Sequence, residues 1–317
     1  MNRQNPSNLE VDFIICGDIN IDIITKPIEK IQKEISIVQK EFKVFPGGNA
    51  NNTALTLNNL GTQVHFIGAL GGSNDPISDW LIKNLKENRI SHTISRKKIQ
   101  SGITFAISYD DGSRTFIATL GSNELLDIND IDFTGYSAKH FHRAGYWWAP
   151  KLQGNITDRI FQMAKNKNMT TSLGLSWDPN NWENRLELLK NLKFCDIILL
   201  NEKELKALTD TENLDNAIDK LRDYYSGIIG IHRGDNGSII VKNSDIIKIT
   251  SKKIKVVNST GSGDVYDAGF IYGYIYKKWD IEKAGRFANA CAEVHIQNLD
   301  MKYPTLQEVE NYLKISR

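Results

Sequence analysis

A loop of small residues near the C-terminal end, residues 258–264, has the composition of an anion-binding turn. It joins a β-branched stretch at 254–257, which predicts a strand, to the apolar stretch 265–275, which predicts a buried helix. Gly261 and Gly263 let a ligand come close to the backbone, and the first N–H groups of the following helix carry the positive end of its dipole. This anion loop therefore predicts a phosphate site.

Asp264 ends the anion loop, at the mouth of the predicted phosphate site. An ionised carboxylate only accepts hydrogen bonds, so it could take the proton of an attacking hydroxyl while the N–H groups hold a phosphoryl group. The chemistry indicated is phosphoryl transfer. Helix capping is the alternative, because Ser, Thr and Asp are common at helix starts for capping alone.

A second candidate group is Gly47-Gly48, followed by Asn52 in the first turn of a predicted helix. Paired glycines let a polyhydroxy ligand approach the backbone, and an Asn side chain both donates and accepts hydrogen bonds, as sugar hydroxyls do. Taken alone, the pair is also typical of a capped turn.

Polar residues also follow the first predicted strand, residues 13–16. Asp18, Asn20 and Asp22 alternate along the chain, so strand geometry would place them on one side. Carboxylates and an amide converging there could grip the vicinal hydroxyls of a sugar. A solvated strand face is the alternative.

Two later loops that follow strands carry candidate nucleotide and metal ligands. Asn201 and Glu204 share one face of a starting helix and could hold phosphate oxygens and a hydrated Mg²⁺, although an N-cap with an acidic first turn explains the same residues. His232, Gly234 and Gly237 lie in a glycine-bearing loop, for which a simple turn is the alternative.

The elements that must position these residues alternate between buried strands and amphipathic helices. The strand-like runs are short, β-rich and nearly continuous, as fully buried parallel strands are: residues 13–16, 64–67, 170–173, 197–200 and 228–231. Helical spacing of apolar residues recurs between them and after them. This rhythm predicts an α/β fold, with a central parallel sheet, helices on both faces, and ligands at the carboxyl ends of the strands.

Two segments, at about 18–45 and 99–122, interrupt this rhythm with short strand-like pieces. The second resembles an antiparallel hairpin around Asp110-Asp111-Gly112-Ser113. Paired together, the segments would form a small β-sheet lid that keeps competing water from the phosphate. An edge sheet or a dimer surface is the alternative. Since no linker or repeat is visible, we expect residues 1–317 to form a single domain with this lid inserted.

The composition excludes several classes of protein. With 40% hydrophobic and 24% charged residues, the 317-residue chain resembles an ordinary soluble protein. A formal net charge of +1 offers no footprint for nucleic acid or an anionic membrane. No apolar run approaches the roughly 18 residues that span a bilayer. Residues 1–10 are polar, which predicts a frayed tail instead of a signal peptide.

The three cysteines are scattered and show no CxxC spacing: Cys16, Cys195 and Cys291. This pattern predicts small buried residues in a reducing compartment. We therefore expect a cytoplasmic enzyme.

Taken together and in order, the segments between residues 13 and 313 resemble the PfkB/ribokinase-like carbohydrate kinases. One signature is matched by Gly47-Gly48 with Asn52 and Ala54 leading to Leu60-Gly61, and the other by residues 260–264 with Ala268-Gly269-Phe270. The resemblance implies a ribokinase-like α/β domain with a β-sheet lid, which moves the γ-phosphate of ATP to a sugar hydroxyl with Mg²⁺.

The resemblance also implies roles for matched positions. Asp264 matches the catalytic base, and Gly261, Ser262 and Gly263 match the anion hole. The sugar-contacting positions are Asn20, Asp22, Gly47, Gly48 and Asn52. The nucleotide positions are Asn201, His232, Gly234, Gly237, Thr260 and Asn289, of which Asn289 lies by the adenine, and Glu204 would reach the metal through water.

Three departures from the family pattern bear on ligands. Asn258 stands where the family usually has Asp beside a monovalent cation, and Leu299-Asp300-Met301 replaces the Gly-containing turn that completes that cation site. Both weigh against activation by potassium. Gly174 occupies a place where many of these sugar kinases have Asp, which leaves the sugar open.

Several activities remain open on this scaffold. The acceptor could be a ribose-, fructose- or keto-deoxy-sugar-like carbohydrate or a nucleoside, and the resemblance allows a homodimer through the lid. A catalytically silent sugar- or nucleotide-binding regulator is an alternative of another class. A Rossmann dehydrogenase is disfavoured, because Gly17-Asp18-Ile19 follows the first strand without a GxGxxG motif.

Overall fold

The five short apolar runs of the sequence are all parallel strands of one large sheet. The computed structural model describes residues 9–31, 33–110, 114–298, 300 and 302–315. The strands are β1 (Leu9–Cys16), β2 (Asn20–Ile24), β3 (Lys43–Gly47), β4 (Val64–Gly71), β5 (Ser91–Lys97), β6 (Gly102–Ser108), β7 (Arg114–Thr119), β8 (Tyr136–Arg143), β9 (Thr170–Gly174), β10 (Ile197–Asn201), β11 (Ile228–His232), β12 (Ser238–Lys242) and β13 (Asp245–Ile249).

Helices lie in the connections between these strands and after β13. They are α1 (Asn49–Asn59), α2 (Pro76–Glu87), α3 (Asn155–Lys165), α4 (Arg185–Lys190), α5 (Glu202–Thr209), α6 (Leu214–Arg222), α7 (Ser262–Ile271), α8 (Ile281–Ile296) and α9 (Leu306–Ile315). A π-helical turn, Tyr272–Tyr276, continues α7. The structure confirms α1, α2, α3 and α9, which the helical spacing of apolar residues predicts, and α7, which the apolar stretch 265–275 predicts.

The large sheet has nine strands within the described residues, in the order β13-β12-β11-β10-β9-β8-β1-β4-β5. The seven from β11 to β5 are parallel, and β12 and β13 add an antiparallel edge. The chain runs from β1 outward through β4 and β5, then returns to β8 on the other side and continues outward. The strand order therefore reverses between β1 and β8, which is where open α/β sheets bind ligands.

Apolar side chains cover both faces of the large sheet, as the continuous apolar strands predict. One cluster packs α3 to α6 against the sheet through residues such as Ile160, Leu205 and Ile218. The other packs α1, α2 and α7 to α9 against the opposite face, through residues such as Leu81 and Phe270. Burial on two faces fixes the strands and therefore the loops at their carboxyl ends.

The two interrupting segments pair into a separate four-stranded sheet, in the order β3-β2-β6-β7. Strands β2 and β6 are parallel, whereas the other two pairs are antiparallel. The predicted hairpin is confirmed as β6 and β7, but its tip at 111–113 lies outside the described residues. We call this sheet the lid.

Two local expectations are wrong. The β-branched stretch 254–257 is not a strand: Val256 and Val257 are 47% and 40% exposed, and the Val257 N–H donates to the Ile296 carbonyl at the end of α8, at 2.8 Å. Among the described residues, no strand pairs with this stretch, so its β propensity is not realised. In addition, β1 begins at Leu9, so residues 9–10 belong to the sheet. Residues 1–8 lie outside the description.

Candidate active site

The anion loop and α7 bring their polar groups to the carboxyl ends of the parallel strands. Gly261 has a φ of 75°, a left-handed conformation that favours glycine, and it caps the start of α7. In the described part of the chain, the backbone N–H groups of Gly263 and Asp264 find no acceptor. The first turn of α7 therefore offers unpaired donors, as the sequence predicted.

Asp264 lies beside these donors and is only partly exposed. Its Oδ2 accepts a hydrogen bond of 2.8 Å from the Asn52 amide of α1. Burial raises the pKa of Asp264 well above its usual value, the Asn52 bond opposes this, and the carboxylates of Asp18, Asp22 and Glu204 add to the rise. Asp264 thus lies near three other acidic side chains.

Asn20 and Asp22 share one side of β2, as strand geometry predicts. The Asn20 amide donates to Asp22 Oδ1 at 2.7 Å and to Thr104 Oγ1 of β6 at 3.0 Å. Asp22 is buried, and burial raises its pKa to about 7. A Cβ on Gly47 of β3 would lie 2.3 Å from the Asp22 carboxyl carbon, so only glycine allows this approach.

Asp18 does not share that side, contrary to the strand-based expectation. It lies in the turn after β1, and its Oδ2 accepts hydrogen bonds from the Asn49 backbone at 3.0 Å and from the Asn49 side chain at 2.9 Å. It thereby satisfies donors at the start of α1. Gly48 precedes that helix with a φ of 98°, and a Cβ there would lie 2.6 Å from the Asp18 carbonyl oxygen.

Asn201 and Glu204 form a capping box at the start of α5. Asn201 Oδ1 accepts from the Glu204 N–H at 2.8 Å, and Glu204 Oε2 accepts from the Asn201 N–H at 2.9 Å. The capping interpretation therefore holds for these two oxygens. Asn201 Nδ2 and Glu204 Oε1 take no part in the box. Burial raises the pKa of Glu204 to about 7.

His232 ends β11 and packs against the anion loop, because a Cβ on Gly263 would lie 3.0 Å from His232 Cε1. Burial lowers the pKa of His232 to about 4, so the ring is neutral. Gly234 is exposed with a φ of 55°. Gly237 has a φ of 77°, and a Cβ there would lie 2.0 Å from the Ile249 carbonyl oxygen, so the turn itself demands glycine at this position.

A cavity of about 350 Å³ lies next to this turn. Its lining includes Asn289 of α8, whose buried Nδ2 has no partner among the described residues. Asp264 is not part of the lining, so the cavity is separate from the anion loop. The other residues that line it include Ile249, Thr250, Trp279, Lys283, Arg286 and Phe287.

The lid reaches the anion loop through Arg114, whose guanidinium donates to Thr260 Oγ1. The Thr260 N–H donates to Asn258 Oδ1 at 3.0 Å, and its carbonyl accepts from His295 Nε2 at 2.8 Å. Thr260 is therefore held from three sides. Of the suggested cation turn, Leu299 and Met301 lie outside the described residues.

Sequence reasoning missed two residues of this region. Tyr303 lies in the C-terminal segment and donates through its hydroxyl to Asn52 Oδ1 at 2.5 Å. Asp267, one turn beyond Asp264, is 5% exposed, and a Cβ on Gly174 would lie 3.0 Å from its Oδ2. A carboxylate thus stands near the place where Gly174 has no side chain. Helical spacing could have found Asp267, whereas no local motif includes Tyr303.

The structure thus combines an α/β fold with an anion loop that precedes a buried helix. A family model described as pfkB family carbohydrate kinase matches residues 12–307. The chain therefore belongs to this family and is a carbohydrate kinase. Among the described residues, no helix combines the length and apolar character needed to cross a membrane.

Similar proteins agree with this assignment. The chain is 26% identical to the 5-dehydro-2-deoxygluconokinase of Geobacillus thermodenitrificans, covering 96% of this chain and 93% of that protein. It is 25% identical to the ribokinase of Lactococcus lactis, covering 95% and 96%. A putative ribokinase II from E. coli, solved with ATP and Mg²⁺, superposes with a TM-score of 0.81 at 20% identity over 96% of this chain and 99% of that one.

Proposed function

We propose that this kinase transfers the γ-phosphate of ATP to a hydroxyl of a small carbohydrate. In this proposal Asp264 is the base, and the backbone of Gly261, Ser262 and Gly263 forms the anion hole. The observation that carries it is the Asp264 carboxylate beside the unpaired N–H groups of α7, held there by Asn52. The base and the anion site must lie this close for an in-line transfer.

The residues present fit ATP in two places. Unpaired donors at the start of α7 suit phosphate oxygens, and the buried Asn289 Nδ2 in the 350 Å³ cavity needs an acceptor, which the ring nitrogens of adenine supply. We assign Asn201, His232, Gly234, Gly237 and Thr260 to the nucleotide side. His232 and Gly237 would act mainly by shaping the loop.

The residues also fit Mg²⁺ held through water. Magnesium keeps several waters and relies on one or two carboxylates together with substrate phosphates. Glu204 Oε1 takes no part in the capping box, so this oxygen is the one that could bind a water of the ion. Glu204 would hold one water of the ion, whose chemistry is to neutralise phosphate charge.

The proposed mechanism uses the chain's own residues as follows. Asn20, Asp22, Gly47, Gly48 and Asn52 position the sugar. Asp264 accepts the proton of the attacking hydroxyl, and a raised pKa makes it a better base than an ordinary aspartate. The N–H groups of the anion hole face the charge on the transferring phosphoryl group, and the lid excludes water.

The acceptor is proposed as a ribose-, fructose- or keto-deoxy-sugar-like compound. Release of ADP in a coupled assay across sugars and nucleosides, with ATP and Mg²⁺, tests this proposal. ADP release with a sugar supports it. Preference for a nucleoside would make the chain a nucleoside kinase, and no ADP release with any acceptor would favour a silent regulator. Repeating the assay with and without potassium tests whether this cation activates the enzyme.

The location and assembly belong to the same proposal. Cys16, Cys195 and Cys291 are free and buried, which suits the reducing cytoplasm. The lid exposes apolar side chains such as Phe116 and Ile117, at 54% and 58%, which suits a homodimer through this sheet. Analytical ultracentrifugation of the wild type and of a Phe116→Ser variant would test whether this sheet forms a homodimer.

The pH profile should reveal the raised pKa of Asp264. We expect kcat/KM for the sugar to fall on acidification at a pH above the ordinary aspartate range near 3.9, because the base must be ionised. In Asp22→Asn, one like charge is removed, so the acid limb should move to lower pH. An acid limb that disappears in this variant would assign the titration to Asp22, and one near pH 4 in the wild type would contradict the prediction.

Asn289→Ala should weaken ATP binding selectively. Removing one hydrogen bond of about 0.5–1.5 kcal/mol corresponds to a roughly 2- to 13-fold higher KM for ATP, with kcat and the KM for the sugar within about twofold. Steady-state kinetics with varied ATP measure this. Asn166→Ala, at the exposed end of α3, is the matched control. An unchanged KM for ATP would place the adenine elsewhere.

A further inference from the structure

A chain of hydrogen bonds links the C-terminal segment to the proposed base. The Tyr303 hydroxyl donates to Asn52 Oδ1 at 2.5 Å, and Asn52 Nδ2 donates to Asp264 Oδ2 at 2.8 Å. Tyr303 is 8% exposed and Asn52 is 4% exposed, so little water competes for these bonds. The two contacts bring together three segments that are far apart in the sequence.

The orientation of the Asn52 amide decides what Asp264 receives. An amide has one accepting and one donating end, and an ionised carboxylate can only accept. With Tyr303 donating to Oδ1, the NH₂ group faces Asp264. A reversed amide would place Oδ1 against the carboxylate, oxygen to oxygen. The phenol hydroxyl therefore stabilises the orientation in which Asn52 binds the base.

The Tyr303 ring is itself held in place. It stacks on the His295 ring, with centroids 5.5 Å apart and an interplanar angle of 11°. His295 Nε2 lies 2.8 Å from the Thr260 carbonyl oxygen of the anion loop. One pair of aromatic rings thus contacts both the anion loop and, through Asn52, the base.

We propose that Tyr303 is a positioning residue, which acts through the Asn52 amide to orient the Asp264 carboxylate for proton transfer. This inference rests on the proposed function and deepens it. It also gives Asn52 a second role beside its proposed sugar contact, since both ends of its amide are engaged within the protein.

Tyr303→Phe tests the hydroxyl while keeping the ring on His295. We expect kcat to fall about tenfold, equivalent to about 1.4 kcal/mol, with the KM for ATP within about twofold. Since the Asn52 bond favours the ionised carboxylate, a disordered amide should move the acid limb of kcat/KM to higher pH. Tyr225 is a buried tyrosine whose hydroxyl donates to the Ile228 carbonyl. The matched control is Tyr225→Phe, which should leave kcat and the acid limb of kcat/KM unchanged.

The other charged and titratable groups around Asp264 stay constant in this comparison, so they do not cause the shift. They are Asp18 after β1, Asp22 on β2, Glu204 on α5, Asp267 on α7, His232 on β11, and Arg114 of the lid, which binds Thr260.

A double-mutant cycle distinguishes positioning from general packing. In an Asn52→Ser background, adding Tyr303→Phe should change kcat by less than about twofold, because the chain of hydrogen bonds from Tyr303 to Asp264 is already broken. A full tenfold loss in that background would overturn the inference, as would a single Tyr303→Phe variant with unchanged kcat and pH profile. If the wild-type protein phosphorylates no acceptor, that result would instead overturn the proposed function.

A spectroscopic measurement does not depend on activity or on a stable tyrosine variant. The side-chain amide signal of Asn52, identified by its loss in Asn52→Ser, can be followed by ¹⁵N NMR in the wild type. We expect the amide protons of Asn52 to exchange slowly with solvent. The chemical shift of this amide should follow the titration of Asp264, and this pH dependence should be absent in Asp264→Asn. Rapid exchange and no titration would show that Asn52 does not bind Asp264 and would overturn the inference.

Discussion

Asp264→Asn is expected to lower kcat by about 10³-fold, within the range that a positioned general base contributes. The amide of Asn has a similar shape but cannot take the proton of the acceptor hydroxyl. The N–H groups at the start of α7 remain, so the Kd for ATP should change by less than about threefold. Stopped-flow or coupled kinetics give kcat, and calorimetry gives the Kd.

The same variant should be more stable than the wild type at neutral pH. Burial raises the pKa of Asp264 above its unfolded value, so the native state binds this proton more tightly than the unfolded state. Its contribution to stability is therefore present at low pH and is lost as pH rises through the folded pKa. Thermal melts at several pH values measure this difference, which should be absent below pH 4.

Asp245→Asn, at the exposed start of β13, is the matched control and should change neither kcat nor the melting temperature. Retention of more than about a tenth of kcat by Asp264→Asn, a loss below 1.4 kcal/mol, would contradict the assignment of the base.

Gly47→Ala is expected to lower kcat/KM for the sugar by about 10²-fold. The new methyl carbon would lie 2.3 to 2.4 Å from the carboxyl atoms of Asp22, which must move by about 1 Å or more. A displaced Asp22 would no longer hold the sugar in line with the phosphate, whereas the nucleotide site is untouched. Kinetics with varied sugar should therefore show the loss, and the KM for ATP should be unchanged.

Gly72→Ala provides the control for this substitution, because its Cβ would lie 3.5 Å from the nearest atom, the Lys97 carbonyl oxygen. Equal kcat/KM values for the sugar in the two variants would show that the approach of Gly47 to Asp22 has no role in catalysis.

The fold was largely predictable from local patterns. Strands buried on two faces are continuously apolar, and β10 at Ile197–Asn201 is an example. The anion loop was also predictable, because Gly261 needs a left-handed backbone and small neighbours admit a ligand. The prediction of a strand at 254–257 was wrong, because β-branched residues form strands only beside another strand.

Contacts between distant segments could not be predicted. Asp18 alternates with Asn20 and Asp22, yet a turn directs it to the start of α1. Nothing near Tyr303 indicates that its hydroxyl reaches Asn52, since the sequence separation is 251 residues. Such pairings follow from the packing of whole helices and leave no periodic pattern in the sequence.

The separation between Asn52, Asp264 and Tyr303 has a consequence during protein synthesis. The partner of Asp264 is Asn52 of α1, and the partner of Asn52 is Tyr303, in the segment before α9. A nascent chain that still lacks Tyr303 can pair β1 with β4 but cannot form the hydrogen bonds from Tyr303 through Asn52 to Asp264. A nascent chain in which Tyr303 has not yet left the exit tunnel should therefore turn over at least about tenfold more slowly than one in which it has.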